Sequence, residues 1–220
     1  MTEHVLITGA NRGIGLALCQ RYCDRQDRVT AVCREASPEL RELPVNIIGG
    51  VDVRAGTGVD RLVTELEETP IDLLINNAGI LHSDRWPDLD FESIEEQFRV
   101  NALGPLRVTH GLRNLLRDGS RICIMTSRMG SIGDNTSGGY YGYRMSKSAV
   151  NMAGMSLHHD LSGRGISVLM LHPGPVATEM TDHQGADVDA VAARIVERLD
   201  ELGQDKSGTF VHVENYPLPW

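Results

Sequence analysis

Positive charge is in short supply in this chain. It sets 21 Lys and Arg against 30 Asp and Glu, for a formal net charge of −9. That balance argues against nucleic acid or an anionic membrane surface as the main partner, while leaving room for a local basic pocket. No apolar run is long enough to cross a bilayer, and no charged n-region with an apolar h-region opens the sequence; neither a membrane span nor secretion is expected. The four cysteines, Cys19, Cys23, Cys33 and Cys123, form no CxxC pair. They read as buried thiols in a reducing, cytoplasmic compartment. His158 and His159 are adjacent, but no carboxylate or thiol stands at ligand spacing to complete a site, so no metal is expected. Internal repeats, low-complexity segments and linker-like shifts are also missing. With 41% hydrophobic and 23% charged residues over 220 positions, the chain reads as one ordinary globular domain, 1–220.

Gly and Pro punctuate the sequence at short intervals, a pattern that suits strands alternating with helices. His4-Val5-Leu6-Ile7-Thr8 has the short apolar run of a buried parallel strand. It leads into Gly9-Ala10-Asn11-Arg12-Gly13-Ile14-Gly15 and then a helical segment from Leu16. A strand, a Gly-rich turn and a helix N-terminus form an anion site, because free backbone N–H groups and the helix dipole both favour a pyrophosphate. The spacing is GxxxGxG rather than GxGxxG, and no Lys-Ser/Thr follows the last Gly, which removes the P-loop reading.

Arg28–Cys33 reads as the second strand. In a dinucleotide fold a carboxylate at the end of that strand selects NAD. Glu35 lies twenty residues past Gly15, but Cys33 and Arg34 stand where the strand ends, and neither is acidic. Arg34 and Arg12 could together hold a 2′-phosphate, since guanidinium forks match phosphate geometry. NADP(H) is therefore favoured over NAD(H), and a methyltransferase, which would lean on an acid at that position, is disfavoured.

Val45–Ile48 is a third strand, leading to Val51-Asp52-Val53, where Asp52 is placed to accept from an exocyclic amine of a base. A helix is expected over Val59–Glu68, then a strand over Ile71–Ile75 closed by Asn76-Asn77-Ala78-Gly79. The small Ala78 and Gly79 would let backbone approach a ligand at the carboxyl edge of the sheet, where open α/β sheets bind cofactors. Phe91–Leu116 reads as one long helix interrupted near Gly104-Pro105, with Asn101 just before the break. Ile122–Met125 is a strand, Thr126-Ser127 stand at its carboxyl end, and Gly130, Gly133, Gly138 and Gly139 mark a loop.

That loop ends at Tyr140-Tyr141-Gly142-Tyr143-Arg144-Met145-Ser146-Lys147, just before an apolar helical run. Tyr143 and Lys147 are four apart, so on a helix they share a face. Tyr140 and Tyr141 have Arg144 and Met145 at that spacing, so only Tyr143 has a Lys. A phenol beside an ammonium is expected to have a lowered pKa and to serve as a proton donor and acceptor near neutral pH. A helix over about Val188–Leu202 and a last strand over Gly208–Val213 close the chain. The tail Glu214–Trp220 is placed to cover a site or to join a subunit interface.

Four signals thus coincide in order and spacing, Thr8-Gly-x-x-x-Gly13-x-Gly15, Asn76-Asn77-Ala78-Gly79, Ser127 and Tyr143-x-x-x-Lys147, and Pro173-Gly174-Pro175-Val176-Ala177-Thr178 adds a fifth. Together they resemble the short-chain dehydrogenase/reductase family over essentially the whole chain, most of all its small carbonyl reductases of the sniffer and C-factor type. The resemblance implies a Rossmann-like, doubly wound parallel sheet of seven strands in the order 3-2-1-4-5-6-7, with helices on both faces. It also implies roles. Tyr143 would give a proton to a carbonyl oxygen, Lys147 would lower the Tyr143 pKa and contact the nicotinamide ribose, Ser127 would hold the substrate oxygen, and Asn101 would complete a proton relay. Gly9, Asn11, Arg12, Gly13, Ile14, Gly15, Arg34, Asp52, Val53, Asn77, Ala78, Gly79, Pro173, Gly174, Val176 and Thr178 would bind the nucleotide together with Tyr143 and Lys147. The hydride would come from the cofactor, positioned by the protein.

Two features depart from the family pattern. The stretch from Ser127 to Tyr143 is a few residues longer, making Ser131 a second candidate, though Gly130 three residues after Ser127 favours Ser127. The stretch after Thr178 is short, which implies an open site that accepts many carbonyl compounds. The helices carrying Asn101 and Tyr143 pack between subunits in the family, so a homodimer or homotetramer is implied; the small Ala149, Ala153, Gly154 and Ser156 suit that or an ordinary core. An NAD-linked alcohol dehydrogenase and a non-catalytic NADP(H)-binding regulator are the competing readings, since a fold does not fix a function. The complete set Asn101, Ser127, Tyr143 and Lys147 argues against the regulator.

Overall fold

The computed structural model describes residues 2–220. In chain order the elements are β1 (His4–Thr8), α1 (Gly13–Asp24), β2 (Arg28–Val32), α2 (Pro38–Arg41), β3 (Asn46–Ile48), α3 (Gly56–Leu66), β4 (Ile71–Asn76), α4 (Phe91–Phe98), α5 (Gly104–Gly111), β5 (Leu116–Met125), α6 (Tyr141–Leu161), β6 (Ser167–His172), α7 (Val188–Asp200) and β7 (Thr209–His212). The strands form one sheet of seven, order β3-β2-β1-β4-β5-β6-β7, and every pair is parallel. This is the doubly wound architecture expected from the sequence.

Alternation along the buried strands decides which helices cover which face. Ile7, Leu73, Ile75, Cys123 and Leu169 point to the layer holding α1 and α7, with Leu18, Val191 and Ile195. Leu6, Leu74, Ile122, Ile124 and Met170 point the other way, to Leu62 of α3, Val108 of α5 and Val150 of α6. Both faces are thus apolar, which is why the strands read as continuous hydrophobic runs. Gly154 of α6 lies so close to the sheet that a Cβ there would be 2.4 Å from Met170 Sδ, so this small residue serves the core. Among the described residues no helix is long and apolar enough to cross a membrane.

The structure corrects the long helix expected over Phe91–Leu116. The α-helical ladder stops at Phe98, continues as a π-turn over Arg99–Leu103, and resumes as α5, which ends at Gly111. Pro105 has no N–H to give the carbonyl four residues back, that of Asn101, so an α-helical bond is lost there and the turn widens. Beyond Gly111, Leu116 pairs with Ile71 and opens β5, longer than the expected Ile122–Met125. The strand β6 was implied by the resemblance alone.

Candidate active site

At the carboxyl edge of the sheet, Thr8 closes β1 and its hydroxyl accepts from the backbone N–H groups of Asn77 (3.0 Å) and Ala78 (3.1 Å). The Asn77 side-chain amide donates to the carbonyls of Thr8 (3.0 Å) and Gly9 (3.1 Å). Asn77 therefore stitches the end of β4 to the Gly-rich turn. Two glycines of the turn leave no room for a side chain. A Cβ at Gly15 would lie 2.2 Å from the Gly9 carbonyl oxygen, and one at Gly9, where φ is +66°, 2.8 Å from Ala78 Cα. Arg12 precedes α1 and forms an ion pair with Glu179 on the segment after β6. Thr178 approaches the same turn, its Cγ2 3.2 Å from where a Gly13 Cβ would stand.

Between these segments runs a cleft of about 1120 Å³. Its wall includes Gly9, Asn11, Arg12, Gly13, Ile14, Arg34, Asp52, Val53, Asn77, Ala78, Gly79, Tyr143, Lys147, Pro173 and Thr178. Of the residues expected from sequence, Gly15, Asn101, Ser127, Gly174 and Val176 lie outside the wall. Gly15 is buried behind the turn it allows, and Val176 is a core residue. Asp52 is engaged within the protein: its carboxylate accepts from Arg54 Nε and Nη2 (2.7 Å for the latter), which holds its carboxyl below the usual range. Glu35 also lines the cleft. The glycine cradle, the helix N-terminus, the two guanidinium groups and the volume, at the upper end for a small-molecule pocket, fit a dinucleotide.

The Tyr143 and Lys147 pair lies on α6. Tyr143 and Lys147 are 8% and 5% exposed, with Lys147 Nζ 5.6 Å from the Tyr143 ring centroid and donating to the Met125 carbonyl at 2.9 Å. The predicted face-sharing pair is present, but its electrostatics differ from expectation. Burial pushes the Tyr143 phenol up to about 12, opposed only by the neighbouring Ser127 hydroxyl. Burial also lowers the Lys147 ammonium to about 8. Desolvation outweighs attraction, so Tyr143 is held as a protonated phenol rather than brought toward ionisation.

Ser127 stands two residues beyond the end of β5, its hydroxyl accepting from Met129 N at 3.1 Å. Ser131, by contrast, is turned to the tail: it donates to the Trp220 carbonyl at 3.3 Å and accepts from Asp134 N. The turn between them rests on α6, where Ser148 donates to the Gly130 carbonyl at 2.8 Å. A Cβ at Gly130 would meet Lys147 C at 2.7 Å. Thr126 donates to Asn151 at 2.7 Å. Asn101, fully buried in the π-turn, clamps Ile80: its Oδ1 accepts from Ile80 N (2.9 Å) and its Nδ2 donates to Ile80 O (2.8 Å). Sequence reasoning gave no role to Thr8, Asn151 or Asp84. A hydroxyl at a strand end beside the Gly-rich turn was a usable signal for Thr8; nothing local marks the other two. Among the described residues, no group of three or more His, Cys, Asp and Glu side chains could hold a metal.

A seven-stranded doubly wound sheet with a buried Tyr–Lys–Ser group beside a glycine cradle defines a nucleotide-dependent oxidoreductase. Comparison with known proteins agrees. The short chain dehydrogenase pattern matches residues 3–189, and the chain belongs to that family. It is 40% identical to a 1-hydroxy-2-glutathionyl-2-methyl-3-butene dehydrogenase of Rhodococcus sp. (strain AD45), over 98% of this chain and 99% of the relative. Among solved structures it resembles the carbonyl reductase Sniffer of D. melanogaster (TM-score 0.92, 30% identity, all of both chains). It also resembles an NADPH-bound carbonyl reductase from chicken fatty liver (TM-score 0.89, 26% identity, 100% of this chain and 99% of that one).

Proposed function

We propose that the whole chain, 1–220, acts as one NADPH-dependent reductase of aldehydes and ketones. The observation that carries this reading is the buried Tyr143 beside Lys147 on the wall of the cleft, at the carboxyl edge of the sheet, where burial pushes the phenol up. A phenol held in its acid form suits proton donation to a carbonyl oxygen, which is the reductive direction. The bound cofactor supplies the hydride. Ser127 donates a hydrogen bond to the substrate oxygen and fixes it against Tyr143, and Tyr143 transfers its proton to that oxygen. Lys147, charged below about pH 8, stabilises the resulting phenolate and can return a proton to it. Asn101 fixes the backbone at Ile80, so the cleft wall keeps its place during turnover.

Arg34 and Arg12, both on the cleft wall, support NADP(H) over NAD(H): Arg34 can offer its guanidinium to a 2′-phosphate, and Arg12 can do so by exchanging Glu179 for it. Titrating the parent with NADP⁺ and NAD⁺, alongside Arg34→Ala, tests this. Tighter NADP⁺ binding that is lost in the variant is expected, and an NAD⁺ preference in the parent would overturn it. The unpaired Cys19, Cys23, Cys33 and Cys123 support a reducing compartment such as the cytoplasm. Exposed Phe98, Met145 and Met152 on α4 and α6 support a homodimer, which sedimentation would detect.

A further inference from the structure

The helix that carries Tyr143 lacks any cap of its own. Tyr143 stands in its first turn, where backbone N–H groups have no helical acceptor. The preceding residue, Tyr140, is left-handed at φ +51° and offers no side-chain cap, and the first turn contains no acidic residue. A residue far away in sequence fills the gap. The buried Asp84 accepts from Tyr141 N with one carboxylate oxygen (2.5 Å) and from Gly142 N with the other (3.1 Å). Its own carbonyl accepts from Tyr140 N at 2.9 Å. Three successive N–H groups therefore end on one residue.

Asp84 belongs to the segment that leaves β4, the segment whose Ala78, Gly79 and Ile80 form the cleft wall. On its far side the first turn of α6 is stopped by α4: a Cβ at Gly142 would be 2.6 Å from Gln97 Nε2 and 3.0 Å from Ile94 Cα. The start of α6 is thus held between a remote carboxylate and a neighbouring helix, and Tyr143 follows directly.

We propose that Asp84 is a positioning residue that, as the remote cap of α6, sets the place of the Tyr143 hydroxyl relative to the cleft wall. This rests on the reductase reading for its kinetic consequence and on geometry alone for its structural one. A displaced phenol impairs proton transfer far more than nucleotide binding, which is spread over the whole cleft wall, so the loss appears mainly in kcat and only slightly in cofactor affinity.

The test compares Asp84→Ala and Asp84→Asn with Ser120→Ala. Ser120 ties β5 to the start of β4 by donating to the Ile71 carbonyl at 2.7 Å, away from the carboxyl edge that holds the site. Asp84→Ala should lower kcat roughly ten- to a hundredfold, as expected for a misplaced catalytic group, with a far smaller change in NADPH affinity. Asp84→Asn, which keeps one acceptor, should recover part of the rate. Ser120→Ala should lower the melting temperature and leave kcat intact. Equal kcat in parent and Asp84→Ala, or equal kcat losses in Asp84→Ala and Ser120→Ala, would overturn the proposal.

Hydrogen exchange on the same proteins reads the geometry without turnover. Faster exchange in Asp84→Ala confined to residues 140–147 is expected, and unchanged exchange there overturns the cap. A parent that reduces no carbonyl, yet shows that exchange pattern in Asp84→Ala, contradicts the reductase reading and upholds the cap.

Discussion

Replacing Lys147 by Met should make the nucleotide-free protein more stable while removing its activity. The ammonium of Lys147 is buried, and burial lowers its pKa from 10.5 to about 8. At 1.36 kcal/mol per factor of ten, that shift corresponds to roughly 3 kcal/mol of unfavourable free energy whenever the group is charged. Met is similar in length and needs no solvation. The substitution forfeits the hydrogen bond to the Met125 carbonyl, at about 1 kcal/mol, leaving a net gain on the order of 2 kcal/mol below pH 8. For a chain of this size that is roughly 4–8 °C in melting temperature.

The sign of the pH dependence is fixed by linkage. Between about pH 8 and 10.5 the unfolded chain holds a proton on Lys147 that the native protein has released, so native stability rises with pH across that window. Urea unfolding at a series of pH values should therefore show the advantage of Lys147→Met at pH 7 shrinking as the pH rises toward 10.5. A variant less stable than the parent at pH 7, or a gap that does not change through the window, would show that the buried ammonium carries no such cost.

Other expectations concern the reacting groups and the cradle. Because Tyr143 is raised to about 12, reduction should keep its proton donor across the neutral range. Alcohol oxidation, which needs the phenolate, should rise about tenfold per pH unit there; an oxidation rate flat in pH would count against Tyr143. Ser127→Ala should lose most of its reductase activity and Ser131→Ala should keep it, and the reverse pattern would reassign the substrate serine. Gly15→Ala places a Cβ against the Gly9 carbonyl, so urea unfolding should show a loss of about 1–3 kcal/mol and nucleotide titration a loss of affinity. Parent-like values in both would show that the turn can shift.

Much of this architecture was legible because each buried strand carries its signal locally. β1 was read at its observed bounds, and the strand-turn-helix order placed the cradle before any side chain was located. What failed was decided by tertiary structure. Leu112, Leu115 and Leu116 continue a helical spacing, yet Leu116 is drawn into β5 by pairing with Ile71, and the polar Arg117–Ser120 stretch of that strand reads as a turn.

The site shows the same division. That Tyr143 and Lys147 lie side by side was legible from spacing, because a helix brings residues four apart together; that they matter came from the family resemblance. Their pKa values could not be read that way, since they depend on how much of the sheet edge closes over them. Asp84 reaches α6 across 57 residues of sequence, a contact with no periodicity to announce it. Asn101 was singled out through the family resemblance; the widened turn that holds it has a cause in Pro105 that local chemistry does supply.

Tyr143 as the proton donor of an NADPH-dependent reductase stands or falls on NADPH oxidation followed with a panel of aldehydes, ketones and quinones, for the parent beside Tyr143→Phe. Turnover in the parent on several panel members is expected, with a loss of roughly 10²–10⁴-fold in the variant and NADPH binding retained. Tight NADPH binding with no turnover by the parent, or a Tyr143→Phe protein as fast as the parent, would rule that role out.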